Sequence, residues 1–457
     1  MKCYRRIGAA ALVCQVWLMR SAPAQAQAQA GDAPAFEHPE VSDPMLAPPD
    51  PAPAVVRSWD EALAMIRRAP SYLTSVADLQ RAIAQRRIAL AAVLPTLTAT
   101  GGLVHNFYTA TVPIGAAMVV QPPPTVWSAS ATASWSIINP RGIYGIGTAE
   151  LAASVANLSL ADRRRVLAGS VVSALLATLA AGRVAELDRV GLRSALERLV
   201  LTQTRLKFSR GTELDVDRAQ QDVAAARAQL ISGDEALRQS REALGQVLGS
   251  ATPLAAPADL DLDGFERAVV ASCRVGDSIE RRADVAAAGQ RVAIAERRVK
   301  DAELLFAPSL AVGSTVGYAS EVVTGPNTTW SVGATLSVPL YDGGARYGAI
   351  RDARAAGDQA RDDLASVRVA AMIEVARASR AVVVDTASRD VARQQRELAA
   401  RVDARTREGY AKGVGTSLDL VTSAQALRQV EINLVLLEFE LAQARAGAVL
   451  ANAECVY

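Results

Sequence analysis

The chain has 457 residues, 49 basic against 47 acidic, with 50% hydrophobic and only 4% aromatic content. A net charge of +2 gives no footprint for a nucleic acid, and the apolar content excludes a disordered chain. Four Cys, two of them near the N-terminus, make neither a disulfide scaffold nor a zinc ribbon.

Residues 1–30 form a secretory signal pattern. Lys2, Arg5 and Arg6 precede an apolar run, Ile7 to Met19, that is short for a bilayer span. Small residues from Ala22 to Ala26 offer cleavage sites, and Val13 before Cys14 makes that cysteine a poor site for lipidation. Cleavage would remove Cys3 and Cys14 and leave Cys273 and Cys455, whose pairing the sequence leaves open. Residues 31–54 are proline-rich, which predicts an extended segment, with the folded body beginning near Trp59.

The rest of the chain is expected to be one unit used twice, over 55–250 and 282–457, with residues 251–281 linking the halves. Trp127 to Ser134 aligns with Trp330 to Ser337 at an offset of 203, and the register continues to Tyr144 and Tyr347. Leu94-Pro95-Thr96-Leu97 matches Ala307-Pro308-Ser309-Leu310 at 213. Phe208 to Gly211 matches Tyr410 to Gly413 at 202, and Leu214-Asp215 matches Leu418-Asp419 at 204. Each half reads as a helix, two strands, a helical stretch of about 65 residues spanning roughly 100 Å, a tight turn and a last helix. The 91 Ala suit such closely packed helices better than the three thick cores this length would ordinarily hold.

The strands look membrane-embedded. No Asp, Glu, Lys or Arg occurs from Ile88 to Pro140, and Glu321 is the one charge from Leu304 to Tyr341. Trp127, Ala129, Ala131, Ala133, Trp135 and Ile137 alternate with Ser128, Ser130, Thr132, Ser134 and Ser136. Trp330, Val332, Ala334 and Leu336 form a second apolar stripe, and Leu310, Val312, Ser314, Val316 and Tyr318 a weaker one. Trp127, Trp135, Trp330 and Tyr318 are candidates for the lipid interface. Four strands cannot close a barrel, and open edges in lipid leave backbone groups unpaired. Eight strands leave an interior filled by side chains, so a conduit needs three or more chains.

Enzymatic chemistry finds little support. The two His, His38 and His105, lie in the Pro-rich segment and a strand. Gly142, Gly145 and Gly147 lack the dinucleotide spacing and are expected to form a strand-to-helix bend, as Asp342-Gly343-Gly344 does in the second half. No catalytic, cofactor-binding or metal residues are expected. A periplasmic coiled-coil scaffold without a pore is the competing reading; it accounts for the helices and the signal but not for the charge-free strands.

Taken together, the duplicated long helices, the four strands and the signal resemble the TolC-like outer-membrane efflux family over about residues 55–457. The resemblance is carried by Trp59-Asp60-Glu61-Ala62-Leu63, Pro70, Leu94-Pro95, Val338 to Gly344, and the turns at Phe208, Gly211, Tyr410 and Gly413. It implies a mainly α fold with a small β part. Long-helix hairpins would form a helical tunnel, and three chains would share a twelve-stranded barrel in the outer membrane of a Gram-negative bacterium. It also implies docking on a periplasmic adaptor and an inner-membrane pump, for export of small molecules or for type I protein secretion. Residues 113–125 and 321–329 would be the outer loops. Tyr410, Gly413, Gly415, Asp419 and Thr422 would lie at the periplasmic entrance, and Phe208, Gly211 and Asp215 at the first-repeat tip. Asp419 matches the first constriction aspartate of the family. Thr422 stands where a second aspartate can occur, and Gly415 where an arginine can help to hold the entrance shut. Asp419 also reads as a first-turn partner of a Thr416 helix cap, as Asp215 does for Thr212.

Overall fold

Chain order is set by the strand and helix punctuation. The computed structural model describes residues 39–114, 117–276, 278–321, 326–455 and 457, so the signal expected over 1–30 lies outside it. In the first half, β1 (Ala54–Val55), α1 (Trp59–Ile66) and α2 (Pro70–Ala91) lead to β2 (Thr96–His105), β3 (Ala110–Ile114), β4 (Ala117–Gln121) and β5 (Thr125–Ile138). Two long helices follow, α3 (Pro140–Lys207) and α4 (Glu213–Leu248). Then come β6 (Leu254–Ala255), α5 (Leu262–Ser272) and β7 (Cys273–Val275). The second half comprises α6 (Ala283–Glu303), β8 (Ser309–Ala319), β9 (Thr328–Ser337), α7 (Ala345–Ala411), α8 (Ser417–Leu450) and β10 (Ala453–Cys455).

The 68 residues of α3 and the 67 of α7 each span about 100 Å at 1.5 Å per residue. Asn139 caps α3, accepting from Gly142 N at 2.9 Å, and Pro140 occupies its first position. The glycines from Gly142 to Gly147 therefore lie inside the first turns of α3, not in the expected bend, which falls at Asn139. α3 packs on α4, and α7 on α8; α3 also contacts α2, α6 and α8.

Midway along the helices lies the apolar core. Trp59, Ala62, Leu63 and Ile66 follow the i, i+3, i+4, i+7 spacing of a one-faced helix, and all are buried. They meet Val171, Leu175 and Leu176 of α3, Leu244 of α4 and Val269 of α5. Trp59 sets its ring edge-on to Phe265 at 5.6 Å and donates its indole N–H to Ser272 Oγ at 2.9 Å. The expected linker is thus a structured part of this core. Its end is fixed covalently, since Cys273 of β7 and Cys455 of β10 form a disulfide across 182 residues of chain.

The folded body starts earlier than Trp59. Asp43 binds Arg227 of α4 (2.7 Å), the Ala47 carbonyl accepts from Arg189 of α3 (3.3 Å), and the Asp50 carbonyl accepts from Arg241 of α4 (2.9 Å). Met45 and Leu46 pack against Leu192, Ala195, Val223, Ala226 and Leu230. Proline richness foretells an extended backbone but not its partners. Three arginines on one helix pair need acceptors, and this strap supplies them.

The strands form one antiparallel sheet in the order β2-β5-β8-β9. Its register places Leu97, Leu103, Trp127, Trp135, Val312, Val316, Tyr318, Trp330, Val332 and Leu336 on one face. The other face is polar, with Thr96 to Ser134 at 2.8 Å, Thr100 to Ser130 at 2.7 Å and Thr132 to Thr315 at 3.2 Å. A bulge between Ser136 and Ile138 takes Ile137 out of the alternation expected for it. The first outer loop is also larger than 113–125. β2 ends at His105, and the β3–β4 hairpin fills the excursion before Thr125. In the second loop, Thr328 and Thr329 already belong to β9, while residues 322–325 lie outside the described residues.

Candidate functional site

The two helical hairpins end in turns built on one plan. α3 stops at Lys207 and α4 starts after Thr212; α7 stops at Ala411 and α8 starts after Thr416. Thr212 accepts from Asp215 N, and the Asp215 carboxylate accepts from Thr212 N at 3.0 Å. Thr416 and Asp419 repeat this capping box, with Asp419 accepting from Thr416 N at 3.2 Å. Each box satisfies two N-terminal donors and puts a negative charge at the positive helix end. Hydrogen bonds from Thr416, side chain first and backbone second, hold the exposed Asp419 carboxyl below the usual aspartate range.

The structural offset between the turns is 204 throughout. Ser209 and Gly413 are the left-handed residues, at φ 58° and 79°. Arg210 N donates to Arg205 O, and Val414 N to Gly409 O. Gly211 and Gly415 sit close against the preceding helix end: a Cβ would lie 3.3 Å from Leu206 N and 3.1 Å from Tyr410 N respectively. Phe208 therefore corresponds to Lys412 and Gly211 to Gly415, a shift of two from the sequence match. Phe208 and Tyr410 share an aromatic ring, not a position. Phe208 is exposed, whereas Tyr410 is buried.

Tyr410 is buried because the two turns are stitched together. Arg205 of α3 lies over the Tyr410 ring at 4.0 Å and donates to the Tyr410 carbonyl at 2.6 Å and the Ala411 carbonyl at 3.3 Å. A cation from the first repeat thus serves the C-terminal carbonyls of α7, where the helix dipole favours it. In return, Ser417 of α8 donates to Asp215, and that bond is the largest influence holding the Asp215 carboxyl below its usual range. Farther from the turn, Gln425 of α8 donates to Asp222 of α4 at 2.9 Å, and Arg198 of α3 donates to the same fully buried carboxylate at 3.1 Å.

The structure thus brings Tyr410, Gly413, Gly415, Asp419 and Thr422 to one end of the helices, together with Phe208, Gly211 and Asp215. Thr422 turns its hydroxyl back onto the Leu418 and Asp419 carbonyls, at 2.9 and 3.1 Å. Arg205, Ser417, Asp222, Arg198 and Gln425 were not foreseen. They recur with no period and pair residues 24 to 206 positions apart.

At the opposite end, Trp127 and Tyr318 meet with ring centroids 5.2 Å apart, and Trp330 is the third residue of the nearby β9. Trp135 lies at the helix-proximal end of β5 and donates to the Val93 carbonyl at 3.0 Å. Three aromatics thus mark the loop end of the apolar face and one marks its helix end.

Comparison with known proteins follows this architecture. The family model described as "Outer membrane efflux protein" matches residues 64–250 and 275–450. The fusaric acid resistance protein FusA of Burkholderia cepacia is 31% identical over 156 residues, 32% of this chain and 28% of that protein. The solvent efflux pump outer membrane protein SrpC of Pseudomonas putida is 26% identical over 163 residues, 35% of each chain. The matched stretches thus span about a third of these relatives. Among solved structures, the Campylobacter jejuni CmeC outer membrane channel superposes with a TM-score of 0.72 at 14% identity, covering 92% of this chain and 93% of that one. The open-state Neisseria gonorrhoeae MtrE channel gives 0.69 at 18%, covering 92% and 97%. At such identities these structures speak for the fold: a helical tunnel joined to a β-barrel.

Proposed function

The chain belongs to the outer membrane efflux protein family, and from that premise we propose that three copies form a periplasm-spanning exit duct for small molecules in a tripartite pump. One observation carries the reading. The sheet has two open edges, β2 and β9, and an exposed apolar face, and it continues into helices about 100 Å long. A lipid-facing sheet must close on itself, and three copies give twelve strands. The Trp127, Tyr318, Trp330 group and Trp135 then occupy the two lipid interfaces. The family is one of channels rather than enzymes, so the driving energy comes from an inner-membrane pump joined through a periplasmic adaptor. The names of the matched relatives, a fusaric acid resistance protein and a solvent efflux protein, support small-molecule export over protein secretion.

By this reading the stitched turns are the entrance. Three Asp419 side chains, one from each copy, ring the lumen there, and their repulsion opposes the acidifying hydrogen bonds from Thr416. Thr422 adds no second acidic ring, and Gly415 carries no guanidinium for an arginine lock. Reconstitution into planar bilayers tests the proposal. Discrete conductance steps are expected, and Asp419→Asn should lower cation preference. Absence of steps would remove the channel reading; unchanged selectivity would leave Asp419 as a helix cap.

A further inference from the structure

Between the apolar core and the turns, the long helices lie in a row. α3 packs on α4 and α8, and α8 packs on α7, which gives the order α4-α3-α8-α7. The end helices, α4 and α7, each have an outer side with no neighbouring helix among the described residues. α7 turns Ala392, Asp403 and Tyr410 inward, all buried, and Asp403 accepts from Ser423 of α8 at 3.2 Å. The opposite side of α7 carries Val383, Ala387, Val391, Leu398 and Val402 along one helical stripe. Its four larger side chains are 53% to 70% exposed. Arg380 and Arg405 lie in the same stripe, exposed and with no ion-pair partner among the described residues.

The outer side of α4 is the complement. Ala219, Ala226, Leu230 and Gly233 are buried. The other side exposes Ala224, Ala228 and Ser232 between two acids, Asp217 and Glu242, which also lack ion-pair partners among the described residues. The strap leaves this side free, since Arg227 and Arg241 hold it. Levels along the row follow from contacts within the chain. Arg198, nine residues before the end of α3, binds Asp222, nine after the start of α4. Arg396, fifteen before the end of α7, binds Glu431, fourteen after the start of α8. The two turns are level, because Arg205 reaches Tyr410 and Ser417 reaches Asp215. Rotation about an axis along the helices preserves every level. Val391, twenty residues from the end of α7, is then level with Gly233, twenty from the start of α4, and meets Ser232. Leu398, thirteen from that end, is level with Ala226 and fits between Ala224 and Ala228. Arg405 falls two residues, about 3 Å of helix rise, from Asp217, and Arg380 falls as far from Glu242.

We propose that the apolar stripe of α7 docks on the outer side of α4 in the next copy, as an antiparallel seam with Asp217–Arg405 and Glu242–Arg380 as its ion pairs. The proposal rests on the three-copy duct above and names the surfaces that close its helical wall. The seam continues the open edges of the sheet. β9 leads directly into α7. β2 follows α2, and α4 ends against the start of α2, with Gly249 packed on Ala69 and Pro70. One edge of the chain is therefore β9-α7 and the other β2-α2-α4. Small residues facing valine and leucine let two helix backbones approach closely, and each unpaired arginine gains the acid that its own chain does not offer it.

Cross-linking of the full-length protein in detergent tests the seam. A Ser232→Cys, Val391→Cys double variant treated with a short bismaleimide should run as covalent trimers on denaturing gels. The two sites lie at opposite ends of the row, so a link within one chain is excluded, and the native Cys273–Cys455 bond leaves those sulfurs unreactive. Asp217→Arg should weaken the trimer about tenfold on dilution, since three exposed pairs are reversed at once, and adding Arg405→Asp should restore it. Links formed by Val391→Cys alone would mean that α7 meets α7 and would overturn the seam. So would a second reversal that restores nothing. A protein with the mass of three chains by light scattering but no links overturns the seam and leaves the duct standing, whereas a protein with the mass of one chain removes both.

Discussion

Single side chains at the joints between helices carry much of the specificity of the helical end. Ser417 donates to Asp215 across the two repeats. Ser417→Ala is expected to cost about 1 kcal/mol, the net worth of one such bond. The pH dependence has a definite sign. A carboxyl held below its unfolded value contributes stability above that value, about 3.9, and loses it as pH falls through the folded one. Thermal melting between pH 7 and 3 should therefore show a gap between Ser417→Ala and wild type that closes at the acid end. Arg198 has a larger role, because Asp222 is fully buried. Arg198→Ala leaves that carboxylate with Gln425 as its side-chain hydrogen-bond donor and with the field of Arg428, and should destabilise by about 3–5 kcal/mol in chemical denaturation. These pairs were not legible beforehand. A sequence shows where charge occurs, but the partner of Arg198 is decided by which faces of α3 and α4 meet.

Elements were easier to read than contacts, and the failures have distinct causes. Alternation of Ala and Trp with Ser and Thr fixed the faces of β5 because each residue type repeats at the pleat period. The β3–β4 hairpin was missed because Ala110 to Gln121 carries Pro113 and little polar alternation. The turn offset slipped by two because Phe208-x-x-Gly211 and Tyr410-x-x-Gly413 share residue types while backbone roles follow φ. Those roles make a prediction. Ser209 adopts the left-handed conformation that Gly413 supplies in the second turn. Ser209→Gly should stabilise by roughly 1 kcal/mol and Gly413→Ala should destabilise by about as much, as denaturation midpoints would show. The disulfide is an element-level tie of the same kind. Removing it with a Cys273→Ser, Cys455→Ser double variant should cost about 2–5 kcal/mol.

For the whole molecule, the decisive fact is incompleteness. In the proposed duct, a sheet with two open edges and an apolar face is completed by other copies and by lipid. Detergent-solubilised protein should have a mass near three chains by light scattering. Val332→Arg, midway along the apolar face of β9, should reduce insertion into the outer membrane, since a charge near mid-bilayer costs about 2–4 kcal/mol. Thr335→Arg, on the opposite face, should be tolerated. The disulfide has a further consequence for this assembly. Because it joins Cys273 to Cys455, the peptide between them is a closed ring that contains the second turn but not the first. A protease that cuts beside the exposed Val414 leaves its fragments joined until thiols are added. One that cuts beside Arg210 releases two pieces at once. Parallel gels run with and without reductant would thus report which of the two turns a protease reached, with no label introduced.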